Sequence, residues 1–492
     1  MSSETKRIDI DGIQVSPDHF IGGQRISSSH TFEVRTPLDW DWKLADVARG
    51  DEHTAKLAVD AALEGFKVWS TMSATERGAV MHNMANLIEQ HAKDIAHIEC
   101  LDMAMLLESL ELRLVPRGAR NFRAYADLVI EHEERVWSSN NTTNRVIREP
   151  AGPAVIITPW NAPFMLSTWK CAPALAAGNS VILKPAEWSP LSASVMADLI
   201  NEAGFPPGAF NIVQGLGSEV GAALVSDPRV RRISFTGSTQ TARKIGSAAA
   251  QNIVPFTAEL GGKSPLVVFA DADIDAAAKK AAVQFDDSGQ VCMAGTRLLV
   301  EQSIKAEFME KFIFYTEQHK AGDSRDKSTT LSVAIHPDHL KRVEGFVERA
   351  REEGDHIVFG GHRIEEGKLW YAPTLIEPRS NDSEVVQKEI FGPVLTLQTF
   401  ADEAEAIELA NSTEYGLSAV AYTSDAERAE RVGRALRGGT VWINCFLVRD
   451  LTAPFGGCGI SGIGREGGDY ALDFHADLKT LQILDGSTTQ SG

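Results

Sequence analysis

From Gly152 onward, short β-branched apolar runs alternate with helix-like segments, and this alternation restricts the possible folds more than any other property of the chain. AVIITP, SVILKP and RRISFTGS each read as a strand closed by Pro, Gly or Ser. Between them lie LSTWKCAPALAAG and SPLSASVMADLINEAG, with apolar residues three and four apart. Strands alternating with helices form βαβ units and a parallel sheet. A second series begins at SPLVVFADAD and runs through RLLVEQ and AVAYTS to GTVWIN. At 492 residues the chain is too long for one core, and two consecutive α/β domains are the simplest arrangement.

Other segments have a different texture. Helical periodicity covers Glu52 to Trp69, Ala74 to His91, and Leu106 to Asp127. Glu133 to Pro150 reads as a hairpin, two β-prone runs around SSNNTTN. DLKTLQILDG reads as a short alternating strand followed by a disordered end. A hairpin alone is only marginally stable in water, so these two elements are expected to form an oligomerisation arm.

The net charge of −19 disfavours nucleic acid and anionic membrane surfaces as partners. The five cysteines are widely spaced and form no C-x-x-C, which argues against a disulfide framework or a structural zinc site. MSSETKRIDIDGIQVS has no apolar signal core, and no stretch approaches the roughly 20 apolar residues of a membrane span. A soluble cytoplasmic protein is expected.

Cys292, in GQVCMAGTR, stands after a Gly-Gln-Val turn and before small residues, a setting open to a nucleophile or to simple packing. Glu259, in TAELGGKSP, sits among apolar residues that disfavour its ionised form, which suits a base working near neutral pH. FTGST follows a strand-like run and precedes a helix-like one. It is either a phosphate site at a helix N-terminus or an ordinary turn with a Ser or Thr cap. Lys184 and Glu187 follow a strand, where they can hold a ribose diol or pair with each other in solvent. Two G-x-G-x-x-G strings, starting at Gly457 and Gly462, follow no predicted strand and fail the context test for a dinucleotide loop.

PWNAP, LKPAE, FTGST, ELGGKSP, GQVCMAGTR, EIFGPV and the PFGG…SGIGREGG end occur in one order, and together they resemble the aldehyde dehydrogenase superfamily. The resemblance runs from about Phe20 to about Leu484. It implies a Rossmann-like cofactor domain formed by 1–132 and 151–258. It further implies an α/β catalytic domain over 259–468 and a β-arm from 133–150 and 469–492. With such an arm, a homodimer or homotetramer is expected. Cys292 matches the family nucleophile, Asn161 the side-chain donor of the oxyanion hole, and Glu259 the general base. Lys184 and Glu187 match groups on the adenine ribose, and Gly237 and Ser238 the phosphate contact. Glu389 matches the group on the nicotinamide ribose, with Phe391 beside it. Thr158, Trp160, Thr236 and Leu260 complete the implied cofactor set. NAD is the implied cofactor, because Glu187 would repel a 2′-phosphate. Glu259 favours release of a free acid over transfer to coenzyme A.

Two departures bear on loops and interface rather than on reaction class. Gly459 stands where the family usually has lysine after PFGG-x. GDSRDKSTTLSVAIHP replaces a glycine-proline stretch. The substrate reading rests on Arg449, in NCFLVRDL, and Arg117, in LVPRGARNFRAYAD. The resemblance implies that Arg449 lies in the loop lining the family's substrate funnel and Arg117 on the helix facing it, and two guanidinium groups there suit an aldehyde that also carries a carboxylate. These strings resemble the 2-hydroxymuconic and 5-carboxymethyl-2-hydroxymuconic semialdehyde dehydrogenases. A broad-range aliphatic, aromatic or betaine-type enzyme is the alternative, and a non-catalytic binding protein on the same fold is a third reading.

Overall fold

The computed structural model describes residues 6–486. Two large sheets follow the two series of strands. In the first, five strands run parallel in the order Phe256–Glu259, Arg232–Thr236, Ala154–Ile157, Val181–Lys184, Phe210–Ile212. Antiparallel additions extend it: Gly462–Ile463 at one edge, His19–Ile21 and Gln24–Ile26 at the other. The chain lays down Ala154–Ile157 first, steps outward twice, then returns to pair Arg232–Thr236 on the opposite side. The strand order therefore reverses at Ala154–Ile157. Open α/β sheets offer a ligand crevice at such a reversal, beyond the carboxyl ends of the strands.

The second sheet has the order His356–Phe359, Thr374–Glu377, Val394–Phe400, Arg297–Glu301, Pro265–Val268, Ser418–Tyr422, Thr440–Ile443. It is parallel except at its first pair. Its central strands are buried on both faces, which is why they read as continuous apolar runs rather than as alternations.

The hairpin forms with a tighter turn than SSNNTTN suggests. Arg135–Ser139 and Thr142–Pro150 are joined through Asn140 and Asn141, both with positive φ (52° and 56°). Asparagine tolerates this left-handed geometry, which matches the twist of a two-residue hairpin. Ala476–Leu484 pairs along the whole of Thr142–Pro150, so hairpin and tail make one three-stranded sheet. The tail residues beyond 486, expected to be disordered, lie outside the described residues.

Three features depart from the sequence reading. Residues 8–48 contain six short strands, in a region where the sequence reading placed no elements. The helix expected from Leu106 to Asp127 is interrupted: a five-residue π turn, Leu110–Leu114, precedes the helix Val115–Ile130. A further helix, Ala92–Met103, is buried along most of its length, Glu99 and Asp102 included, so its polar residues do not mark a solvent face and its period is hidden. Among the described residues no helix is long and apolar enough to cross a membrane.

Candidate active site

The two sheets meet with complementary ends. At the strand-order reversal the chain leaves Ala154–Ile157 into Thr158–Asn161, and leaves Arg232–Thr236 into Gly237 and Ser238. Neighbouring strands of the same sheet end in Glu259 and in Lys184. From the second sheet come segments that precede its strands. Cys292 stands before Arg297–Glu301, and Glu389 and Phe391 before Val394–Phe400. These segments border a cleft of about 260 Å³, with Lys184 and Glu187 outside its lining. Trp160, Asn161, Thr236, Gly237 and Ser238 line it from the first sheet, and Glu259, Leu260, Cys292, Glu389 and Phe391 complete the walls. Thr158 sits behind the lining, buried, its hydroxyl 3.1 Å from that of Ser167.

Cys292 is half-buried, and burial together with the charges of Glu389 and Glu259 pushes its thiol up to about 12. The backbone N–H groups of Cys292 and Met293 hydrogen-bond the sulfur and oppose that shift. Asn161 Nδ2 donates to the Gln290 carbonyl at 2.8 Å, which orients the amide beside Cys292 and leaves one N–H free. Glu259 is buried, and neither carboxyl oxygen has a partner among the described residues. Burial first, then the charge of Glu466, holds its carboxyl well above the ordinary range.

Glu466, Lys170 and Trp169 carried no role in the sequence reading. Glu466 forms a buried ion pair with Lys170 and accepts from Trp169 Nε1 at 2.6 Å. Lys170 also donates to Ser234 Oγ at 3.0 Å. Glu466 lies within the quoted SGIGREGG motif, but nothing local in that string marks it as paired.

On the cofactor side the groups come together as pairs. Lys184 Nζ donates to Glu187 Oε2 at 2.8 Å. Burial would raise the Glu187 carboxyl, but the Lys184 ammonium outweighs it and holds it below the ordinary value. Ser238 caps the helix Thr239–Gln251, accepting from Thr241 N at 3.2 Å, so its hydroxyl both caps the helix and faces the cleft. Thr236 Oγ1 is buried without a partner. Glu389 Oε1 accepts from Gly262 N at 3.0 Å, and burial raises this carboxyl to about 7. A Cβ at Gly261 would meet Glu389 Oε2 at 2.0 Å, and one at Gly262 would meet the Cys292 carbonyl at 2.5 Å. The glycine pair lets both segments close on one another.

His339 and Arg342 also line the cleft and were missed. They stand one turn apart on the helix Pro337–Glu353. His339 Nε2 donates to the Phe391 carbonyl at 2.7 Å, and Arg342 donates to the carbonyls of Glu389 (2.7 Å) and Ile390. Their only sequence signal is the three-residue spacing that puts them on one face of a helix opened by Pro337.

Arg117 and Arg449 converge on Trp169, their guanidinium carbons 5.7 and 5.4 Å from its ring. Arg449 also lies 3.9 Å over the Phe455 ring. Trp169 and Phe455 line the cleft; the two arginines lie outside its lining. Neither has a carboxylate partner among the described residues. Asp450 turns instead to Thr452, and Arg117 Nε donates to Asn121 Oδ1 at 3.0 Å. Burial, then the charge of Arg449, lowers Arg117 to about 10.

The family model for the aldehyde dehydrogenase family matches residues 25–481. The 2-aminomuconic semialdehyde dehydrogenase of Danio rerio is 38% identical over 95% of this chain and 98% of its own length. The betaine aldehyde dehydrogenase of Bacillus subtilis (strain 168) is 39% identical over 94% of this chain and 96% of its own. A crystal structure of indole-3-acetaldehyde dehydrogenase in complex with NAD+ superposes with a TM-score of 0.93 at 37% identity, covering 96% of this chain and 97% of that one. With nearly its whole length matched in sequence and in fold, this chain is a member of the aldehyde dehydrogenase family.

Proposed function

We propose that the chain oxidises an aldehyde to a carboxylic acid with NAD as hydride acceptor, using Cys292 as nucleophile. The observation that carries this reading is the convergence of Cys292, Asn161 and Glu259 in one cleft whose other side fits a dinucleotide. The fit rests on the orphaned Thr236 hydroxyl and the amino end of Thr239–Gln251 at the strand-order reversal. The Lys184–Glu187 pair beside them suits a ribose diol. When bound, NAD supplies an acceptor for the hydride leaving the aldehyde carbon.

The chain's residues do the rest. The Cys292 sulfur bonds to the aldehyde carbon once its proton has been taken up by a base. The carbonyl oxygen becomes an oxyanion, held by the free N–H of Asn161 Nδ2 and the backbone N–H of Cys292; losing one such donor typically costs about 100- to 1,000-fold in rate. After oxidation the carbon is held as a thioester on Cys292. Glu259, ionised, takes a proton from water, the hydroxide adds, and the carbon–sulfur bond breaks to release acid and thiolate. Steady growth of reduced-nicotinamide absorbance with NAD and an aldehyde is expected, falling to background in Cys292→Ala. A flat trace for the native protein across a wide aldehyde panel would support the binding-protein reading instead.

The substrate we infer is a semialdehyde carrying a carboxylate. Support comes from Arg117 and Arg449 standing free of acidic partners beside the Trp169 wall, and from a relative named for a semialdehyde. The betaine aldehyde relative is equally similar, so identity does not separate the two. Two guanidinium groups repel a quaternary ammonium, which favours the acid. Arg449→Ala is expected to lower kcat/KM for an acidic semialdehyde about 10- to 100-fold relative to a neutral aldehyde of matched size, as for a lost charged hydrogen bond. An equal effect on both removes the carboxylate reading.

The same reading includes the division into 1–132 with 151–258, 259–468, and 133–150 with 469–492, supported by the three larger sheets, although Gly462–Ile463 joins the edge of the first. It also includes a homodimer or homotetramer built through the third sheet.

A further inference from the structure

The helix Ala92–Met103 adds nothing to the lining of the cleft, yet it carries two completely buried carboxyl groups, Glu99 and Asp102. They lie three residues apart, on one face. Glu99 Oε2 accepts from the backbone N–H of Phe164 at 3.0 Å, and Asp102 Oδ2 from that of Leu191 at 2.6 Å. Phe164 is in the first turn of the helix Pro163–Ala176, and Leu191 opens the helix Leu191–Ala203. Neither helix caps itself: the preceding residues are Ala162 and Pro190, and no side chain there accepts a bond. A helix start leaves four N–H groups without partners, and a carboxyl oxygen aimed at them also suits the positive end of the helix dipole. One buried helix thus caps two others.

Each capped start carries part of the proposed site. Asn161 lies two residues before Pro163. The Lys184–Glu187 pair lies just before Pro190. We propose that Glu99 and Asp102 are positioning residues acting on separate halves of the site: Glu99 sets the Asn161 loop through Phe164, and Asp102 sets the Lys184–Glu187 loop through Leu191. This rests on reading Asn161 as the oxyanion donor and Lys184 with Glu187 as dinucleotide-holding groups.

Beyond these bonds, Ser192 interacts with both carboxyls, through its hydroxyl with Glu99 and through its backbone N–H with Asp102. Burial holds Glu99 up at about 7 and Asp102 well above its ordinary value, which favours the uncharged acid. What caps the helices is then an oxygen acceptor more than a full charge, and a carboxamide keeps that acceptor.

The test separates turnover from cofactor binding. Kcat is measured at saturating aldehyde and NAD, and the NAD dissociation constant by quenching of intrinsic tryptophan fluorescence, which needs no turnover. Glu99→Ala is expected to lower kcat about 5- to 10-fold with NAD binding unchanged, the size of a lost helix cap. Asp102→Ala is expected to weaken NAD binding by about the same factor with kcat at saturation unchanged. Glu99→Gln and Asp102→Asn should restore most of each loss. If an alanine variant does not fold, Glu99→Asp or Asp102→Ser withdraws the acceptor more gently and carries the same pair of readouts. The proposal is overturned if both variants lose turnover and NAD affinity together in step with thermal stability, or if the carboxamides restore nothing. A native protein that binds no NAD and oxidises no aldehyde defeats the underlying reading instead, before any variant is made.

Discussion

Glu259 faces a conflict that only its surroundings explain. A base must be ionised, but burial and the charge of Glu466 both favour its protonated form. Lys170, Arg465 and Arg449 pull the other way, and Lys170 is already engaged by Glu466. Held above the ordinary range, this carboxyl ionises at a higher pH than a free glutamate does, so acid release should climb as pH rises through its titration. Glu259→Gln should remove that climb and slow acid release about 100- to 10,000-fold, measured as kcat against pH with the burst of reduced nicotinamide retained. The linkage has a definite sign. The folded state holds this proton more tightly than the unfolded chain, so its contribution to stability is present at low pH and lost as pH rises toward the folded value. A Glu259→Gln protein that keeps the native pH profile would sink this assignment. The apolar neighbours of Glu259 were legible in TAELGGKSP. Glu466 was not identifiable as a neighbour, because the two are brought together by the pairing of Gly462–Ile463 with Phe256–Glu259.

Elements account for the geometry that residues alone do not. The loop Leu260–Ser264 leaves the last parallel strand of the first sheet and enters the second, and Gly261 and Gly262 let Glu389 and the Cys292 loop close upon it. Gly261→Ala places a methyl where the Glu389 carboxylate lies, 2.0 Å away. We expect a higher KM for NAD, with a stability loss of about 1–3 kcal/mol from overpacking. An unchanged KM for NAD, measured by initial rates, would remove Glu389 from the cofactor set. The glycines were legible as a motif; the reason for them was not, since Glu389 lies far along the chain. The helix Pro337–Glu353 makes the same point. Its apolar stripe is regular, but only folding shows that His339 and Arg342 grip the backbone of Glu389 to Phe391. The helical region around Arg117 was legible, but the π turn within it was not, because such a turn preserves apolar character while breaking the 3.6-residue period.

At the scale of the molecule, the third sheet exposes Val136, Trp137, Leu478, Leu481 and Leu484. Apolar side chains clustered on a small sheet with open edges are characteristic of an interface. If the proposed arm joins subunits, Trp137→Asp is expected to give smaller species than the native protein in sedimentation equilibrium, without changing the far-ultraviolet spectrum. A native protein that sediments as a monomer would rule out the arm.

Legible in the chain alone were the alternation of strands and helices, the candidate reactive groups and the family. These are properties of local pattern, since periodicity, turn residues and short motifs are written in neighbouring positions. Only the tertiary structure decided that Glu259 shares its space with Glu466, that two arginines meet over one tryptophan, and that one buried helix caps two others. Burial, charge coupling and capping between segments depend on distances between residues far apart in the chain, and those distances exist only once the sheets have formed.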